Sequence, residues 1–443
     1  MDTQQTIETE QNSRREWLKK GSAIAAAGTI TGAPFVHAQP AKKIRILNAE
    51  TNADAIRVLK EIGAEYQKRT GFEVEIDTNS LDETWLKLQA SMRSGNPHDI
   101  AAVGFIAQVA LLAEQGALMP LTSITNKHKW GRNILYPVKG EVYWYPYDYN
   151  FSILHYRKDI YAERGLKPAR THKDFLDICK SMTDGKGKFG ALFPISNGGA
   201  TSWITSPFFW AEGVRIFDDK WNVIIDSAEM KPRMVRALNF LAELKNTMAP
   251  GYAQASYIEG MQALLSGNVG HAGFTPAIIE ATLRDKSPLQ GKIGLTAYPS
   301  SDGKNASVNH GYDGFMVLKS KNADNAMKFM EWFAQEKYVE FLLSRPLHFQ
   351  SPRLDVYDDS RFKNHPWIQA SQEEVKFMRS LAERDDIIVR SIDTEGPAIG
   401  KQAGKAFESW AFPRMLQERL LKNTPAEQCV DIGAKMIRTA IAS

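Results

Sequence analysis

The stretch KIRILNAETNADAIRVLKEIGAEYQKRTGFEVEID, residues 43–77, decides the fold class. Ile44, Ile46 and Leu47 make a short apolar strand. Ile56, Leu59, Ile62 and Tyr66 then recur at helical spacing, with Asn52 or Asp54 as the cap and Gly71 as the stop. From Phe72 to Asp77 apolar and polar residues alternate, as in a half-buried strand.

The same alternation continues outward. A second helix is predicted over residues 81–93, stopped by Ser94-Gly95-Asn96-Pro97, and Ile100-Ala101-Ala102-Val103 reads as the next strand. Another helix ends at Gly116. This order predicts a parallel sheet with helices on both faces, and ligands in such sheets bind at the carboxyl ends of the strands. The pattern resumes after Ser152-Ile153-Leu154-His155-Tyr156 and again after Gly190-Ala191-Leu192-Phe193. Long amphipathic helices are expected at 231–247 and 322–343. The last hundred residues read as mostly helical, interrupted by Pro352, Pro366, Pro397 and Pro413.

With 443 residues the chain can hold two or more domains, and 43% apolar with 24% charged residues is ordinary for a globular protein. The formal charge of +4 is mild, and no Lys/Arg run resembles a nucleic-acid or anionic-membrane patch. No stretch approaches the roughly 20 uninterrupted apolar residues of a membrane-spanning helix.

The N-terminus matches a twin-arginine export signal: Ser13-Arg14-Arg15-Glu16-Trp17-Leu18-Lys19, then a weakly apolar stretch at 21–35, then Val36-His37-Ala38 before a cut. No Cys near the cut could carry a lipid. The expectation is a signal peptide over 1–38 and a free, unanchored, periplasmic chain, with the twin-arginine translocase and signal peptidase as export partners. Cys179 and Cys429 leave two readings open, a disulfide or two buried thiols. Together with the scattered His residues they give no metal-ligand spacing, and neither metal nor cofactor is expected.

Several ordered segments resemble the family 1 extracellular solute-binding proteins, a group that includes the maltose-binding protein. Residues 65–74 (EYQKRTGFEV) are similar to the family's opening helix-turn-strand, and Ser94-Gly95-Asn96-Pro97-His98-Asp99-Ile100 to its Gly-x-x-Pro-Asp turn, with His98 inserted. Residues 111–121 are similar to the following helix and its exit. Residues 145–150 (YPYDYN), running through Leu154-His155-Tyr156-Arg157-Lys158-Asp159 to Gly165-Leu166, resemble the first crossing between lobes. Residues 175–182 follow as the next helix, with Thr171-His172 where the family prefers Thr-Trp. Residues 264–273 resemble the approach to the second lip, and Gly311-Tyr312-Asp313-Gly314-Phe315 with 326–333 the return crossing.

The resemblance implies an α/β, two-lobed periplasmic binding protein fold (type II), with each lobe a sheet flanked by helices and discontinuous in sequence. Lobe 1 is expected over 39–150 plus 275–318, and lobe 2 over 151–274 plus 319–443, with crossings near Asn150, Phe274 and Leu318. It further implies a monomeric receptor for a small polar ligand, delivering it to an integral-membrane ABC permease. Binding would work by closure, the ligand touching both lobes.

A sugar site needs flat aromatic faces for the C–H faces of the ring and paired hydrogen-bonding groups for hydroxyls. The tract from Tyr143 to Asn150 is rich in both. On an extended strand Asp148 and Asn150 share one face and Tyr147 and Tyr149 the other; Asp148, Tyr149 and Asn150 are candidates, with a structural hinge role for Asp148 and a core role for the tyrosines equally open. Glu50 and Thr51, by their place in the family pattern, end the first strand. Phe105 follows Gly104 at another strand end and either stacks on ligand or packs under the lip. In Ser196-Asn197-Gly198-Gly199-Ala200-Thr201-Ser202-Trp203 the candidates are Asn197 and Trp203, the latter also readable as a packed helix start. Thr275-Pro276 stands where the maltose-binding branch has Pro-Trp, which argues for a small sugar or polyol over a maltodextrin. Tyr312 is placed to close the site, while His271 and His310 read as structural.

A carbohydrate or polyol receptor is therefore the leading expectation. A cation receptor, for polyamine or ferric ion, is kept open by the tyrosines with Glu50 and Asp148. A phosphorylated polyol lacks an Arg cluster. A periplasmic enzyme is disfavoured, because the sequence holds no nucleophile elbow, His-x-x-x-His pair or dinucleotide fingerprint.

Overall fold

The computed structural model describes residues 42–443, so the Arg14-Arg15 leader and the expected cut after Ala38 lie outside the described residues. The strands among these residues are β1 (Lys43–Asn48), β2 (Glu73–Thr78), β3 (Ile100–Val103), β4 (Tyr145–Asp148), β5 (Phe151–Arg157), β6 (Phe189–Leu192), β7 (Val269–Phe274), β8 (Ile293–Thr296), β9 (Tyr298–Pro299), β10 (Ala306–His310), β11 (Asp313–Val317) and β12 (Ile388–Arg390).

They form two sheets. The first has the order β2-β1-β3-β11-β4, with β1 parallel to β2 and β3, and β11 antiparallel to both its neighbours. The second runs β12-β10-β5-β7-β6, with β8 on β5 and β9 on β10. Helices flank both sheets, giving the expected two α/β lobes.

Local chemistry sets the first lobe. The Asn52 side chain accepts the N–H groups of Asp54 and Ala55, which starts the helix Ala53–Thr70, and Gly71 ends it at φ 78°. Val58, Leu59, Ile62 and Tyr66 on that helix are buried against the sheet. A reciprocal Ser80–Glu83 capping box starts the helix Leu81–Arg93. The single long helix expected at 322–343 is Ala323–Trp332 and Tyr338–Leu342, joined through a π-turn at Phe333–Lys337. In the second lobe the helices Gly199–Ala211, Met230–Leu244, Ala411–Leu421 and Ala426–Ala442 enclose a separate core around Phe208, Trp210, Leu241 and Leu416.

The lobe boundaries differ from the expected ones. Residues 293–310 were assigned to lobe 1, but β8 and β10 both hydrogen-bond to β5 in the second sheet. The chain does not cross at Phe274: β7 leads into the helix Ala277–Arg284 and then to β8 of the same sheet. The return crossing is Gly311-Tyr312, between β10 and β11, rather than Leu318. The helix Ala323–Trp332 was assigned to lobe 2, yet Phe329 packs edge-on against Tyr66 at 5.1 Å, which fixes it to lobe 1. The chain enters the second sheet once more at β12, beside β10.

Cys179 and Cys429 are both free and buried, in favour of the thiol reading. Among the described residues, no helix is long and apolar enough to cross a membrane.

Candidate functional site

Two crossings lie side by side at the centre. Asn150 takes a left-handed conformation, φ 45°, between β4 and β5, a geometry that Asn tolerates better than most residues. Its carbonyl accepts the Gly311 N–H at 2.9 Å, and its Nδ2 donates to Asp313 Oδ2 at 2.9 Å. The backbone bend at Asn150 is thus tied to the second crossing at both backbone and side chain.

A cavity of about 360 Å³ opens over this junction. One side is Leu81, at the start of the helix Leu81–Arg93, with Gly104 and Phe105 at the carboxyl end of β3. The other is Trp203, Tyr257, Phe274 and Phe407 from the second lobe. Trp203 meets Tyr257 at 5.9 Å and Phe274 at 6.2 Å, and Phe105 meets Phe407 across the lobes at 4.9 Å. Polar groups interrupt this aromatic lining: Asn150, Asp313, Thr275, His348, Ser391 and Asp393. Thr275 Oγ1 lies 3.0 Å from His348 Nδ1.

The acids at the junction are crowded. Asp148 is fully buried, and among the described residues no side chain donates a hydrogen bond to its carboxylate. Burial first, then the charges of Asp313 and Glu50, push its carboxyl well above the usual range. Asp313 is pushed up to about 7 by burial and by Glu50, against the Asn150 hydrogen bond. Asp393 is pushed up to about 6 by burial, although Ser391 and the Ile106 N–H both donate to it. Burial also raises Glu50, whose carboxylate accepts the Asn52 N–H at 2.6 Å. The Arg345 guanidinium near this cluster is paired with Glu280. With values raised to about 7 and about 6, Asp313 and Asp393 keep part of their population as neutral carboxyls near neutral pH, able both to donate and to accept. A group of this kind suits a hydroxyl. Among the described residues, no cluster of His, Cys, Asp or Glu converges as a metal site.

The family profile described as bacterial extracellular solute-binding protein matches residues 51–340, well over half of the chain. This chain belongs to that family. A putative ABC transporter periplasmic-binding protein, YcjN of Escherichia coli, is 24% identical over 188 residues, 42% of this chain and 40% of that protein. The mannitol-binding protein of Pseudomonas aeruginosa is 23% identical over 74% of this chain and 78% of its own length. Among solved structures, the maltose-bound MalE3 of T. maritima superposes with a TM-score of 0.74 at 18% identity, covering 90% of this chain and 99% of that one.

In this solute-binding protein, four of the sequence candidates, Phe105, Asn150, Trp203 and Thr275, lie together on the cavity. Asp148 and Glu50 lie beside it, coupled to Asp313, but are not among the groups that line it. Tyr149 is placed elsewhere: it is buried, stacks on Phe151 at 4.5 Å, and donates to the Arg132 carbonyl at 2.6 Å. Tyr312 is also buried away from the cavity, its hydroxyl bound to His310 and, at 2.9 Å, to Tyr136. Thr51 and Asn197 are exposed and line no part of the cavity. His271 is structural, held by Gly190 O at 2.8 Å and Tyr161 Oη at 2.7 Å.

Sequence reasoning missed Asp313, Asp393, Tyr257, Phe274, His348 and Phe407. Asp313 carried a signal, since it stands in the segment 311–315 that resembles the return crossing, and Phe274 stood at an expected crossing. The others arrive from distant segments, and nothing local marks them.

Proposed function

We propose that this solute-binding protein captures a small neutral carbohydrate or polyol and delivers it to an ABC permease. The observation that carries the reading is the lining of the interlobe cavity: aromatic faces of Phe105, Trp203 and Tyr257 set against the hydrogen-bonding groups of Asn150, Asp313 and Asp393. Both lobes contribute, so a ligand held between them stabilises the closed arrangement. The mannitol-binding and maltose-bound relatives support the ligand class. Export through the twin-arginine route and residence as a free periplasmic protein are part of the same reading, supported by Arg14-Arg15 and Val36-His37-Ala38.

The cation reading is weaker. A tyrosinate site for ferric ion loses two of its candidates, because the hydroxyls of Tyr149 and Tyr312 are engaged by protein groups. A phosphorylated ligand would need a cation, and Arg345 is spent on Glu280. A thermal-shift screen of neutral sugars, polyols, polyamines and ferric complexes tests the proposal. A rise in Tm with a neutral sugar or polyol is expected, since a ligand bound only by the native state stabilises it; a response confined to the cations would refute it.

A further inference from the structure

One imidazole stands in the wall of the interlobe cavity, that of His348. Its main chain is fixed from two directions. The Glu280 carboxylate, paired with Arg345, accepts the N–H groups of Leu347 and His348 at 3.3 and 3.1 Å, and Gln350 Nε2 donates to the His348 carbonyl at 3.0 Å. Gln350 Oε1 in turn accepts the Phe151 N–H at 3.2 Å, so the segment that carries the ring is anchored beside Asn150, at the first crossing.

The ring is neutral, because burial, then the charge of Arg345, hold its pKa well below the ordinary value. A neutral imidazole carries one N–H, and Thr275 decides which nitrogen has it. Thr275 is 2% exposed. Its Oγ1 accepts the Ala277 N–H at 3.3 Å and lies 3.0 Å from His348 Nδ1, and among the described residues it has no other partner. With Nδ1 protonated, two donors would point at this hydroxyl and its own proton would be buried without an acceptor. With Nδ1 bare, the hydroxyl donates to it and every group is satisfied, which is the less costly arrangement. The N–H therefore sits on Nε2, and no group among the described residues accepts it.

Asn150 is the complement of this donor on the same cavity. Its Nδ2 is spent on Asp313, and its Oδ1 is buried without a partner among the described residues. A ligand hydroxyl can answer either the donor or the acceptor. An ammonium has no lone pair to answer the donor, so His348 turns a cleft otherwise marked by acids towards hydroxyls.

We infer that His348 is a specificity-determining residue: Thr275 holds its ring as the Nε2–H tautomer, and Nε2 donates to an oxygen of the bound sugar or polyol. The inference rests on the sugar or polyol reading and adds to it the polarity of one hydrogen bond.

A spectroscopic and a calorimetric measurement test it together. Long-range proton–nitrogen correlation spectra of the ligand-free protein carrying nitrogen-labelled histidine, assigned by the signal lost in His348→Gln, are expected to show Nε2 protonated and Nδ1 bare. Thr275→Val is expected to mix the two tautomers, and Thr275→Ser to keep the wild-type pattern. Calorimetry with mannitol, ribitol, arabinose, glucose and maltose reads the ligand side. For each compound that binds, His348→Phe is expected to raise Kd roughly tenfold, and His348→Gln, whose amide still donates, to stay within about threefold of wild type. An Nδ1–H tautomer in the wild type, a Thr275→Val spectrum identical to it, a Kd unmoved by His348→Phe, or equal losses in the Phe and Gln variants would each overturn the inference while leaving the sugar reading intact. Binding of none of these compounds would overturn that reading, and the ligand role of His348 with it.

Discussion

Asp393, on the second lobe, accepts the backbone N–H of Ile106, the first residue of a first-lobe helix, at 3.1 Å. The N-terminus of a helix carries unpaired N–H groups and a partial positive charge, so a carboxylate there is favoured. Here cap and helix belong to opposite lobes. The bond thus ties the two lobes together, and the Phe105–Phe407 contact beside it does the same.

Removing this cap penalises closure. Asp393→Ala loses a hydrogen bond to an ionisable acceptor, worth about 1.5–3 kcal/mol. The Kd for ligand is expected to rise roughly tenfold or more, and the radius of gyration of the unliganded protein to increase in small-angle scattering. An unchanged Kd and radius would show that the contact does not bear on closure.

Asn150 makes a second, separable contribution. Asn150→Ala places a less tolerant residue at φ 45° and deletes the bond to Asp313, so a stability loss of about 1–2 kcal/mol is expected in urea unfolding. Asn150→Gly restores the backbone freedom and is expected to fall between Ala and wild type. If Ala proves as stable as wild type, the strain argument fails.

The acids predict a pH dependence. Asp313 is raised from 3.8 to about 7, so the stability linked to its protonation is complete below its ordinary value and is lost as pH rises through about 7. Asp313→Asn removes that dependence. The variant is expected to match wild type near pH 4 and to exceed it in Tm by several degrees at pH 8. That corresponds to about 1–2 kcal/mol once solvent screening of a half-buried group is allowed for. A Tm difference that stays constant with pH would contradict it.

The first lobe could be read from sequence because its signals are local. Asn52 and Gly71 bound the helix Ala53–Thr70, and Ser80 with Glu83 starts the helix Leu81–Arg93, each acting within a few residues. The lobe boundary could not be read this way, since β8 and β10 are short strands whose place is set by pairing with β5, far away in the chain. The aromatic tract was legible in part. Its alternation set Tyr149 on the face opposite Asp148 and Asn150, where the ring joins the core on Phe151, and only the tract's composition had made it a candidate. Phe105 and Trp203 were recoverable because each follows a glycine-marked strand end or loop. Phe407 and Asp393 were not, because only the packing of the C-terminal segments onto the second lobe brings them to the cleft.

The interlobe cavity is expected to hold a neutral polyhydroxylated ligand. Isothermal titration of residues 39–443 with mannitol, maltose and a panel of neutral pentoses, hexoses and polyols tests it most directly, repeated on Trp203→Ala. At least one neutral compound is predicted to bind with 1:1 stoichiometry and to weaken about tenfold or more in the variant, which loses an aromatic face of the cavity. Heat of binding from polyamines or ferric complexes alone, with none from any neutral compound, would contradict the account.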